Sequence, residues 1–156
     1  MFFVSDTQKQ RHKMIRSYLA QDRAPIAVVL AAVDFEWTVR RAIMALGSSP
    51  TPHIRKVVMK NISGLRGYKE SWKAEVQPRL KLSLPQVIPH WSNLTDAFVL
   101  RGKLVHGVVG SVKFEHATPS VEVILSASKL LEELAAEQGT TLYRRIVRRK
   151  PRGPQK

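Results

Sequence analysis

Few side chains in this sequence are placed to do chemistry, and one pair stands apart through its surroundings. Arg101 and His106 lie in Leu100-Arg101-Gly102-Lys103-Leu104-Val105-His106-Gly107, at the end of a stretch with helical apolar spacing. Arginine stays charged and holds phosphate oxygens through paired donors. Histidine changes charge near neutrality and can take or give a proton. Together the two residue types suit proton transfer beside a phosphate group. Five residues rotate an ideal helix by about 500°, which sets Arg101 and His106 about 140° apart. Gly102 and Gly107 can bend the helix or end it early, and a two-fold interface can bring the groups together. Glu36, Arg40, Gly102 and Lys103 are the residues placed to support the pair. The alternative is that Arg101 is a salt-bridged helix residue, with Glu36 or Asp34 as partner, and His106 a helix-end residue bonding free carbonyls.

Other chemistries lack their residues. There is no phosphate-loop glycine pattern and no Gly-x-Ser-x-Gly elbow. His12, His53, His90, His106 and His116 are scattered, with no two at metal spacing. Cysteine is absent, which excludes disulfides, thiol catalysis and cysteine-ligated zinc. Neither a metal nor a cofactor is expected. The carboxylate pairs Asp34/Glu36 and Glu132/Glu133 lack the three- or four-residue spacing that brings side chains together on a helix, whereas Glu36 and Arg40 are one turn apart and can pair.

The elements that would position the pair are helical. Met14, Ile15, Tyr18 and Leu19 fit a short amphipathic helix over 11–21. Asp22 as cap, Pro25 in the first turn and Gly47 as stop bound a second helix, with Ile26, Val29, Leu30, Val33, Trp37, Arg40 and Ile43 as its stripe. Thr51 and Pro52 suggest the start of a short helix over 53–60. Leu65, Tyr68, Trp72 and Val76 share a face of another helix, ended by Pro78. Residues 79–89, with Pro85 and Pro89, are expected to be irregular. From Pro89 a long helix carries Trp91, Leu94, Ala97, Phe98, Arg101 and Val105. A last helix is bounded by Thr118, Pro119 and Gly139, with Val121, Ile124, Leu125, Leu131 and Leu134 on its apolar face. No convincing strand alternation occurs, so the expected fold is all-α, a four- to five-helix bundle over 24–138, preceded by a short segment, 1–23. The three tryptophans are expected in the core or at an interface.

Charge points to the partner. The 156 residues hold 26 Lys and Arg against 12 Asp and Glu, a formal net charge of +14. Residues 139–156 form a basic tail without an acid, and the body is basic without it. Such a field attracts polyanions, of which nucleic acid is the commonest in a cytoplasm. In the tail Arg144, Arg145, Arg148, Arg149, Lys150 and Arg152 are candidate phosphate contacts. No run of about 18 apolar residues predicts a membrane span, and no secretory signal is expected, so a cytoplasmic protein is the default.

In this setting the Arg101-to-His106 segment, on a long apolar-faced helix and followed by a loop and a final helix, resembles the Arg-x(4–6)-His signature of the HEPN superfamily. These are all-α proteins that are often metal-independent ribonucleases. The resemblance spans 24–138 loosely, through helix order and apolar spacing. It implies a homodimer whose two Arg101/His106 pairs meet in a basic cleft, RNA as substrate, transesterification through the 2′-hydroxyl, and a toxin or defence role, with a protein antitoxin or a larger complex as partner. Members paired with a nucleotidyltransferase antitoxin tend to carry a tyrosine two residues after the histidine. Val108 stands there, which disfavours that partnership. A non-catalytic nucleic-acid-binding or dimerising helical subunit is the alternative.

Overall fold

The computed structural model describes residues 2, 3 and 5–143, and these are all-helical, with no strand among them. Five longer helices carry the fold: α1 (Gln8–Ala20), α2 (Ala24–Leu46), α4 (Gly64–Glu75), α7 (Trp91–Val105) and α8 (Phe114–Glu137). Short turns connect them: α3 (Thr51–His53), a π-helical turn at Ile54–Val58, α5 (Gln77–Leu80) and α6 (Leu84–Val87).

Helix α2 is the centre, packed against α8, α1, α7 and α4. It is buried over one broad face, about half of its circumference, through Ala27, Val28, Ala31, Phe35, Val39, Ala42 and Ile43. The stripe read from the sequence is therefore largely the wrong one. Ile26 is exposed, and Val29, Leu30, Val33, Trp37 and Arg40 are half-buried. A helix apolar on nearly every side offers no unique face to periodicity, and its alanines let neighbouring helices approach closely. Trp37 stacks on Phe2, with ring centroids 5.4 Å apart. Trp72 of α4 is fully buried, and its indole N–H donates to the Leu82 carbonyl at 2.9 Å.

Several boundaries shift for local reasons. Helix α1 begins at Gln8 because Thr7 and Gln10 form a capping box. Asp22 does not cap α2. It takes a left-handed conformation (φ 58°) and closes α1, with Asp22 N–H bonded to Leu19 O and Arg23 N–H to Tyr18 O. Pro78 lies in the first turn of α5, where a missing N–H costs nothing, while α4 ends at Glu75. The segment expected to be irregular holds α6, where Gln86 Oε1 accepts from the Ser83 N–H at 2.7 Å. Helix α8 starts at Phe114, before the expected cap, because Ala117 is buried and extends the apolar face. Pro119 is thus inside the helix. The hydroxyl of Thr118 donates to Phe114 O at 2.8 Å and that of Ser120 to His116 O at 3.4 Å.

The chain ends of the described region belong to the same core. Ile15 and Leu19 of α1 pack into it, and so does Leu142, which is 2% exposed. The basic tail therefore begins with packed residues. Arg144, Arg145, Arg148, Arg149, Lys150 and Arg152 lie outside the described residues.

Candidate active site

Helix α7 presents Arg101 and His106 in opposite ways. Leu94, Ala97, Phe98 and Arg101 follow one another on the stripe facing the core, with Leu94 and Ala97 buried and Phe98 edge-on to Phe35 of α2. Arg101 therefore points back toward α2, where its Nη2 lies 3.6 Å from Glu36 Oε1. Both side chains are about a quarter exposed, at 29% and 26%. The Arg101 Nε is buried with no hydrogen-bond partner. Most of the guanidinium's donor capacity is thus not taken up by the protein.

His106 sits just past the last turn. Its backbone N–H bonds to Gly102 O and Leu104 O, and its side chain is exposed. Gly107 (φ 69°) then ends the helix, with Gly107 N–H on Leu104 O and Val108 N–H on Lys103 O. Gly102 does not bend the helix, which runs unbroken from Trp91 to Val105. The rotation expected of an ideal helix is therefore retained, and no hydrogen bond or ion pair joins Arg101 to His106. Val99, Gly102 and Lys103 share the outer face with His106, and Val99 and Lys103 are exposed there.

Glu36 and Arg40 do not pair with each other. Arg40 turns to α4 and the loop before it: its Nε donates to Tyr68 Oη at 3.0 Å and its Nη2 to Ile62 O at 3.2 Å. Both of its terminal nitrogens reach carbonyls, so Arg40 ties the segment before α4 to α2, and Glu36 is left to Arg101. Burial pushes the Tyr68 hydroxyl pKa up and the Glu36 charge adds to this, against the pull of Arg40 and Arg101. Glu36, Arg40, Tyr68 and Arg101 are thus one electrostatic neighbourhood at the meeting of α2, α4 and α7.

A second polar centre lies on the other side of α2. Arg11 and Asp34 are fully buried, with Arg11 Nε 2.6 Å from Asp34 Oδ1. His12 Nε2 lies 3.1 Å from Asp34 Oδ2. Arg11 also donates to the Asp6 carbonyl, approaches Glu132 at 3.4 Å, and lies over the Tyr143 ring. The Tyr143 hydroxyl is bonded to Thr38. Burial raises the Asp34 pKa, but hydrogen bonds from His12 and Arg11 outweigh it and hold the carboxyl below its usual value. Glu132 goes the other way: burial and the Asp34 charge raise it against Arg11. Sequence spacing could not find this centre, because its members lie on α1, α2, α8 and the C-terminal segment. The available signal was Asp34 and Thr38 interrupting an otherwise apolar stretch of α2. The ions are mutually paired and enclosed, so the centre fastens four segments together.

No group of side chains able to hold a metal occurs among the described residues, and no helix among them is long and apolar enough to cross a membrane. Against known proteins, no family model, no curated protein and no solved structure matches the chain.

Proposed function

We propose that the chain is a HEPN-like, metal-independent endoribonuclease that acts as a homodimer through the C-terminal end of α7, in a toxin or defence role. The supporting observation is the surface around His106. Of the eight exposed large apolar residues among the described residues, four lie between 99 and 114: Val99, Val105, Val108 and Phe114. We read these four as the association site, since exposed apolar residues gathered on a surface favour association. Within one chain Arg101 and His106 diverge, so one subunit's pair is incomplete as a reaction centre. Two-fold pairing through this surface sets two histidines and two arginines around one cleft. One histidine takes the 2′-hydroxyl proton as that oxygen attacks phosphorus. The other protonates the departing 5′-oxygen, and the Arg101 guanidinium balances charge on the phosphorane.

Incubating the purified chain with RNA in excess EDTA tests this. Cleavage leaving 2′,3′-cyclic phosphate and 5′-hydroxyl ends supports it. Intact RNA together with salt-sensitive binding favours the second reading, a non-catalytic RNA-binding subunit, for which the inward Arg101–Glu36 pair speaks.

A further inference from the structure

We infer that the exposed basic face built by the π-helical turn and α4 is a docking track for the phosphodiester backbone of RNA, distinct from the Arg101/His106 pair. The identity of the partner rests on the ribonuclease proposed above.

The body's positive charge is concentrated in one region. Residues 51–90 hold eight Lys and Arg against two acids, while the rest of 1–138 holds eleven against ten. One acid of the basic region is turned away from its surface, and the other offsets one arginine. Glu75 is buried and turned inward, where it accepts from the Ser49 N–H and hydroxyl, each at 2.9 Å. Glu70 pairs with Arg66 at 3.0 Å. Arg79 is also committed, donating to the Leu46 and Gly47 carbonyls at the end of α2. Arg55, Lys56, Lys60, Lys69, Lys73 and Lys81 remain, exposed and without a carboxylate partner among the described residues.

The periodicity of α4 arranges these charges. Leu65, Tyr68 and Trp72 face the core, which leaves Arg66, Lys69 and Lys73 on the outer face. From Arg66 to Lys73 the axial rise is about 10 Å. The turn carrying Arg55 and Lys56, which precedes α4 in the chain, is anchored to the body of the fold. Ile54 and Met59 are buried beneath it, Arg40 holds the Ile62 carbonyl, and Ser48 donates to Glu75 O at 2.8 Å. Arg66 is shared with Glu70, while Arg55, Lys56, Lys69 and Lys73 are unpaired among the described residues, and such cations are complementary to phosphates. The aromatic rings of α4 are turned inward, so the face has no platform for stacking bases and reads the backbone without regard to sequence. Tyr68, on the inner side of the same helix, borders Arg40, Glu36 and Arg101, so the track lies on the opposite side of α4 from that neighbourhood.

The test is anisotropy of a labelled mixed-sequence oligoribonucleotide titrated with the full chain carrying His106→Ala, which prevents cleavage. Replacing Lys56, Lys69 and Lys73 with Gln is compared with replacing Lys9, Lys13 and Lys129 with Gln, an equal loss of charge elsewhere. The α4-side triple should weaken binding about tenfold at moderate salt and reduce the log–log salt slope by about 2, whereas the control triple should change affinity by about twofold or less. Equal effects of the two triples, unchanged binding, or displacement of the RNA by an acidic peptide at equal charge concentration would overturn the track. Cleavage is read separately with His106 restored. A chain that binds through α4 and never cleaves refutes the ribonuclease and leaves the track standing. One that cleaves with both triples equal refutes the track alone.

Discussion

Glu36 on α2 faces Arg101 on α7 across 3.6 Å, and the Arg101 Nε beside this contact is buried without an acceptor. An arginine held by one long, partly exposed ion pair is poorly explained as a stability device. Such pairs contribute about 0.2–1 kcal/mol.

Arg101→Ala should therefore cost less than about 1 kcal/mol in urea unfolding while removing cleavage and weakening RNA binding. Arg101→Lys should not restore the rate, since an ammonium lacks the planar fork. A collapse of stability in Arg101→Ala would assign the residue to the fold instead.

The buried centre behaves in the opposite way. Asp34→Asn or Arg11→Met leaves a partner charged and enclosed, at a cost of about 3–5 kcal/mol. The double variant should be less damaging than the sum of the two. Equilibrium unfolding of the three variants measures this. Additive losses would mean that Arg11 and Asp34 do not depend on each other.

How far the sequence could be read follows from these two centres. The helical class, the apolar stripe of α7 and the position of His106 at its end were legible, because each depends on neighbours within a few residues. The Glu36–Arg101 contact was legible only as one option, with Asp34 as the other partner for Arg101, since α2 meets α7 through the packing of the core and local spacing favoured Glu36 with Arg40. Arg11, His12 and Asp34 were invisible for the same reason. Thr118 and Pro119 misplaced the start of α8, because burial of Ala117 overrides a local capping signal.

The pH dependence of stability follows from the pKa directions. Asp34 is held low in the folded chain, so it contributes stability above its unfolded value of about 4 that is lost as pH falls through the lower folded value. Glu132 is raised, so its ionised form opposes folding, and stability is gained as pH falls from its folded to its unfolded value. Urea midpoints measured against pH should show that gain before the acid loss, and Glu132→Gln should abolish the gain alone. On the alkaline side burial pushes Tyr143 up to about 12, so its contribution is complete below about 10 and is lost as pH rises toward the folded value. Tyr143→Phe should remove that late loss.

Two truncations test the tail. Deleting 144–156 should flatten the salt dependence of RNA binding. Deleting 142–156 also removes the buried Leu142 and the Tyr143 ring over Arg11, and should cost at least about 2 kcal/mol. Equal midpoints for the two truncations would contradict the packing of these residues.

The most direct test is the rate of RNA cleavage in EDTA by the parent chain and by His106→Ala. His106 is exposed and its side chain bonds no other residue among the described ones, so its loss should leave folding and RNA binding nearly intact. The rate should fall by about 10²–10⁴-fold, the usual cost of a lost acid–base group. A His106→Ala chain that is folded, binds RNA and cleaves it at the parent rate would contradict the account.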